Sequence, residues 1–108
     1  MTYSIRFLPE AIDDLRRLDG SQRIQVEKAI KKVATNPLPE SAGGYGKPLG
    51  NTTRARLAGL QKIKLKALGI RIVYKLIQTS TTMLIVVIGA RSDGEVYDIA
   101  SRRWKGCE

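Results

Sequence analysis

Residues 62 to 74 read Lys62-Ile63-Lys64-Leu65-Lys66-Ala67-Leu68-Gly69-Ile70-Arg71-Ile72-Val73-Tyr74, and their alternation restricts the fold more than any other stretch. A strand sends successive side chains to opposite faces, so Ile63 and Leu65 can enter a core while Lys62, Lys64 and Lys66 share the other surface. Gly69 supplies the permissive backbone of a short break, and the chain resumes as Ile70-Arg71-Ile72-Val73-Tyr74-Lys75-Leu76-Ile77, which predicts a hairpin. In the second strand Ile70, Ile72, Tyr74 and Leu76 take one face, and Arg71, Val73 and Lys75 the other. If the apolar faces pair, Arg71 lands beside Lys62 and Lys64. A surface carrying four or five cations is expected.

The 108 residues suit one domain with a modest core. Nineteen Lys and Arg against ten Asp and Glu leave a formal charge of +9, a balance that favours a polyanionic partner such as nucleic acid or an acidic protein. Only clustering turns such a balance into a footprint. The first residues lack the basic-then-apolar plan of a secretory leader, and no apolar run approaches the roughly 20 residues of a membrane span, so a cytoplasmic chain without membrane contact is expected. Cys107 is the sole cysteine and histidine is absent. No disulfide framework, metal site or cofactor is expected, and the commonest general base is missing.

The other elements follow in order. Tyr3, Ile5 and Phe7 alternate as a first strand, which Pro9 ends. Ala11, Ile12, Leu15 and Leu18 recur at helical spacing, with Asp13, Asp14, Arg16 and Arg17 opposite, and Gly20 is expected to close that helix. Ser21 is expected to open a second helix through Ile24, Ala29, Ile30 and Val33 to about Ala34, antiparallel to the first. Residues 37 to 56 form the least regular part and hold Lys47, Arg54 and Arg56, which could extend a surface for gripping a nucleic-acid backbone. Met83 to Ile88 is apolar on both faces and predicts a central strand. Residues 89–94 read as a loop, and Glu95 to Trp104 as a tail with a short helix. The fold class expected is α+β: a strand, a helical hairpin, a three-strand mainly antiparallel meander and a C-terminal helix or tail.

Lys62-Ile63-Lys64-Leu65, then Gly69-Ile70-Arg71-Ile72-Val73-Tyr74, then Gly89-Ala90-Arg91 followed by Glu95-Val96-Tyr97 together resemble the RelE toxins of the RelE/ParE superfamily. The resemblance runs through essentially the whole chain in element order. It implies the toxin of a bacterial toxin–antitoxin pair, a ribosome-dependent endoribonuclease that cleaves messenger RNA in the ribosomal A site and is inhibited by an acidic RelB-like antitoxin. Operator DNA would be reached only through the antitoxin complex. The family's active-surface roles fall on Lys62, Lys64, Arg71, Arg91 and Tyr97, with Lys47, Arg54, Arg56, Lys66 and Lys75 as further RNA- or ribosome-binding cations. The stretch between Gly50 and Lys62 is longer than in compact RelE enzymes, Gln61 stands where an aromatic is frequent, and Ala90 where a basic residue is frequent.

Metal-independent RNA cleavage uses the 2′-hydroxyl as an internal nucleophile, which requires a base, cations for the charge growing on phosphorus, and an acid for the leaving 5′-oxygen. Without histidine a lysine is the candidate base, and like charges nearby favour a neutral amine. Lys64, in the middle of the cluster, is the first candidate, and the sequence leaves open whether it or Lys62 holds the phosphate. Arg71 and Arg91 suit bidentate contact with phosphate oxygens. Tyr97 could stack on a base or orient the hydroxyl; it could equally be a core tyrosine capping the sheet. Two other functions compete: a ParE-like inhibitor of DNA gyrase, which shares the fold but has no need to assemble the full set Lys62, Lys64, Arg71, Arg91 and Tyr97, and a non-catalytic module that docks nucleic acid or antitoxin on its basic face.

Overall fold

The structure, a computed structural model, describes residues 2–38, 40–48, 60–90 and 93–105. Strand β1 (Ser4–Phe7) leads into helices α1 (Pro9–Arg16) and α2 (Gly20–Ala34). Four strands follow, β2 (Lys47–Pro48), β3 (Leu60–Leu65), β4 (Ile70–Ile77) and β5 (Thr82–Gly89), and α3 (Asp93–Lys105) ends the described chain. The sheet order is β1-β5-β4-β3-β2, with β1 parallel to β5 and every other pairing antiparallel. The expected α+β arrangement therefore holds, with one strand more than expected, the two-residue β2. Among the described residues no helix is long and apolar enough to cross a membrane.

β5 lies between β1 and β4, as its apolarity on both faces requires: Met83, Ile85, Val86, Val87 and Ile88 are all buried. The predicted hairpin forms with Lys66 to Gly69 as its turn, and Gly69 takes the left-handed conformation, φ 67°, that other residues resist. A bulge offsets β4 against β5, since Val73 pairs with Val87 but Tyr74 with Ile85.

The helices depart from expectation in three places. Gly20 does not close α1; it is the first residue of α2, and α1 stops at Arg16. Asp19 rather than Ser21 caps α2, accepting from the Gln22 amide at 2.8 Å while the Gln22 side chain accepts from the Asp19 amide, a reciprocal capping box. These bonds, the Gln22 amide first, hold the Asp19 carboxyl below the usual carboxylate range. Ile12 and Ile24 lie on the exposed side. The buried stripe of α2 runs through Val26, Ile30, Val33 and Ala34, and Ile24, two residues before Val26, is turned about 200° away from it at helical geometry.

The irregular segment is ordered where it is described. A single 3-10 turn at Glu40–Ala42 precedes β2, and backbone bonds from Tyr45 to Asn36 and from Gly46 to Leu38 close the loop on itself. Its anchor is Tyr74, which is fully buried and donates its hydroxyl to the Pro37 carbonyl at 2.8 Å. Burial pushes that hydroxyl well above the ordinary phenol range, so it stays a donor. A Cβ at Gly46 would run into the Tyr74 hydroxyl and the Pro37 carbonyl, which is why glycine stands there.

Candidate functional site

The register of the hairpin places the cations. Lys64 lies directly opposite Arg71, Lys62 opposite Val73 and Leu60 opposite Lys75, so these six residues share one face. Directly opposed side chains on antiparallel strands have Cβ atoms about 5 Å apart, and Lys62 stands two residues, roughly 7 Å, along the strand from Lys64. On the outer side Lys47 of β2 pairs with Lys62 and extends the same face by one exposed cation.

The face is not continuously cationic. Leu60 and Val73 on it are 1% and 0% exposed, and α3 packs on β4 and β5 with Val96, Ala100 and Ser101 buried. The cations crowd at the margin that α3 leaves open. Lys62, Lys64, Arg71 and Lys75 are half-buried there, and Lys66 is exposed in the turn rather than on the strand. Open concavities flank the turn, one lined by Lys64, Lys66, Gly69 and Arg71, the other by Gln25 and residues 64 to 68.

Tyr97 joins the cluster from α3. The Lys62 ammonium donates to the Tyr97 hydroxyl at 2.9 Å and sits 5.6 Å from the ring centroid. That separation places the cation at the hydroxyl end, so the hydrogen bond rather than the ring face is the main contact. Tyr97 is half-buried against the core, so its ring packs while its hydroxyl serves the site. The structure thus brings together Lys62, Lys64, Arg71 and Tyr97, with Lys47, Lys66 and Lys75 around them. Arg91, Arg54 and Arg56 lie outside the described residues.

One part of the architecture escaped sequence reasoning. Asp14, assigned to the solvent side of α1 with Asp13, Arg16 and Arg17, is instead 8% exposed. Its carboxylate accepts from both ends of the Arg103 guanidinium, at 2.6 and 3.2 Å, and from the Ile88 amide at 3.0 Å. Arg103 also donates to the Val86 carbonyl at 3.0 Å. β1 reaches only as far as Ile85 on its neighbour, so these bonds satisfy β5 backbone groups beyond the end of β1. The signal was present: Ala11, Asp14, Leu15 and Leu18 fall at i, i+3, i+4 and i+7, which puts Asp14 on the buried stripe by position alone.

Electrostatically the arrangement suits an extended polyanion. Two cations directly opposed across the strands place their donors on one side of the sheet, where a phosphate can accept hydrogen bonds from both Lys64 and Arg71.

No protein-family model matches the chain. Among curated proteins, one from Escherichia coli named as a RelE-like toxin is 31% identical over 108 residues, spanning 97% of this chain and 100% of its own. The mRNA interferase toxin RelE of Escherichia coli K12 is 29% identical over 103 residues, spanning 95% and 98%. Among solved structures, free Escherichia coli RelE with two arginines replaced by alanine superposes with a TM-score of 0.73 at 28% identity, covering 95% of this chain and 98% of that one. RelE in the intact Escherichia coli RelBE toxin–antitoxin complex gives 0.65 at 26% identity, covering 83% and 98%.

Proposed function

The chain belongs to the RelE toxin family, and from that premise we propose that it is the toxin of a type II toxin–antitoxin pair, an mRNA interferase that cleaves messenger RNA on the ribosome without a metal ion. Two relatives are named mRNA interferases. The observation that carries the reading is the juxtaposition of Lys64 directly opposite Arg71 with Lys62 hydrogen-bonded to Tyr97, on one open margin of the sheet.

Each side chain then has a part in a displacement at phosphorus. The 2′-hydroxyl loses its proton to Lys64 and attacks the adjacent phosphate; the bond to the 5′-oxygen breaks and that oxygen takes a proton from water, leaving a 2′,3′-cyclic phosphate and a 5′-hydroxyl. Lys62 suits phosphate anchoring better than proton transfer, because one of its three N–H donors is already committed to Tyr97 and the others remain directed by that bond. Arg71 meets the charge that grows on the non-bridging oxygens, and Arg91 takes the leaving-group side. Tyr97 fixes the Lys62 ammonium and offers an aromatic edge to the displaced base. Lys47, Arg54, Arg56, Lys66 and Lys75 hold the flanking backbone of messenger or ribosomal RNA. Amines and guanidinium groups are weak acids and bases for this task, so rate depends on an in-line substrate, which the ribosomal A site supplies.

The partner that restrains the toxin is an acidic, RelB-like antitoxin folding onto the basic chain, as the RelBE complexes suggest by analogy. Cleavage by purified protein on programmed ribosomes, with free mRNA in parallel, tests the reading. Cleavage confined to ribosome-bound message is expected. Intact message from folded protein, with gyrase supercoiling inhibited instead, overturns it.

A further inference from the structure

Among the described residues Asp14 is the buried charged side chain, and the chemistry above has no use for it. A carboxylate out of water is unfavourable unless its partners are well placed, and here they are: a two-pronged guanidinium and a strand amide. The pair spans the molecule. Asp14 belongs to α1, Arg103 to α3, and both close on β5 between them.

What the pair controls is where α3 lies. The helix rests on the sheet through Val96 and Ala100, with Tyr97 and Ile99 packed at the border of the core, and such apolar contacts are non-directional, so they do not by themselves single out one lengthwise setting. A guanidinium fork held by a carboxylate and the Val86 carbonyl fixes both slide and rotation. Tyr97 is six residues before Arg103 on the same helix, about 9 Å along its axis, and a slip of one turn, about 5.4 Å, would take its hydroxyl out of reach of Lys62.

We propose that Asp14 and Arg103 are positioning residues for the nuclease site, setting α3 in the register that places the Tyr97 hydroxyl on Lys62. The inference rests on the nuclease reading of the sheet margin and adds to it two residues, one of them 74 positions in sequence from the strand amide it holds.

A double-mutant cycle on the intact chain separates positioning from general stability. R103A is expected to lower kcat on programmed ribosomes by about tenfold with KM within about twofold, since Lys47, Lys66 and Lys75, which hold the flanking RNA, are untouched. Y97F is expected to lose a similar amount, and R103A added to Y97F less than about twofold more, because the hydroxyl through which Arg103 acts is already gone. R103K keeps the charge without the fork and is expected to recover part of the loss; it also carries the cycle if R103A does not fold. Independent, multiplicative losses, a loss confined to KM, or wild-type turnover in R103A overturns the inference. Hydrogen exchange of residues 93 to 105 reads the clasp without any activity: faster exchange in the Arg103 variant supports it, and unchanged exchange overturns it. Wild-type protein that leaves ribosome-bound message intact overturns the nuclease reading instead, and exchange alone then judges the clasp.

Discussion

The two faces of the β3–β4 hairpin share one backbone and differ in what covers them. On one, Ile63, Ile70, Ile72 and Tyr74 are buried together with Gln61, and Leu65 and Leu76 are half-buried at its ends. On the other, Lys62, Lys64, Arg71 and Lys75 alternate in space with the buried Leu60 and Val73. The first face is a core, and its composition is dictated by burial. The second is divided by α3, and the division is what converts a row of charges into a site, because the helix brings a tyrosine hydroxyl to Lys62 while Lys64 and Arg71 stand half-buried at its border.

Substitutions at neighbouring positions on opposite faces should therefore separate activity from stability. The largest effect is expected for Lys64→Arg, which keeps the charge but stays protonated: cleavage on programmed ribosomes should fall about 100-fold or more, with unfolding free energy changed by no more than about 0.5 kcal/mol. Retained cleavage would remove Lys64 as the base and favour a face used only for docking. Ile72→Ala, whose position is opposite Ile63 on the other face, should behave inversely. A cost of about 2–5 kcal/mol in denaturant unfolding is expected for a fully buried isoleucine, with kcat per folded molecule unchanged. Should kcat fall with stability intact, the two faces are coupled and the division is wrong.

Tyr74→Phe probes the core face where it meets the loop after α2. The substitution keeps the ring and strands the Pro37 carbonyl, so a loss of about 1–2 kcal/mol is expected in urea unfolding. Because the loop carries β2, and Lys47 on it extends the cationic face beside Lys62, a small weakening of ribosome binding should accompany the loss. Unchanged stability would show that the loop closes without its tyrosine anchor.

Much of this could be read from residues alone, and the reason is local. Strict alternation from Lys62 to Lys66 with Gly69 in the break predicts a hairpin with Arg71 on the side of Lys62 and Lys64; that Lys64 stands directly opposite Arg71, and that Lys66 leaves the strand, follows from the four-residue turn at 66–69. The apolar run to Ile88 specifies a strand with neighbours on both sides. What stayed hidden depends on distant parts of the chain. Nothing near Val73 says that a cation-bearing face will be half covered, since the helix that covers it begins 20 residues later. Asp14 looks like solvent-facing charge until Arg103 is brought to it. The loop around Gly46 looks irregular because its order comes from a tyrosine hydroxyl donated by β4. Local periodicity thus specified the strands and their cations, while the contacts that turn them into a site are long-range.

The smallest effect is expected at the start of α2. Asp19 caps the helix that covers the core face, is fully exposed, and touches nothing on the cationic side. Asp19→Ala should lower Tm by a few degrees at neutral pH while cleavage is retained. The pH dependence follows from its lowered pKa: the unfolded chain binds this proton more readily, so the cap's contribution is present in full above the unfolded carboxyl pKa, about 3.9, and disappears as pH falls through the lower folded value. The Tm gap between wild type and the alanine variant should accordingly be constant above about pH 5 and close below about pH 4. Asp19→Ser, which caps through a hydroxyl that does not titrate in this range, should keep its advantage over alanine at both ends. A gap that persists in acid would mean that the amide of Gln22 is served as well by a protonated carboxyl, and that the cap acts by geometry rather than by charge.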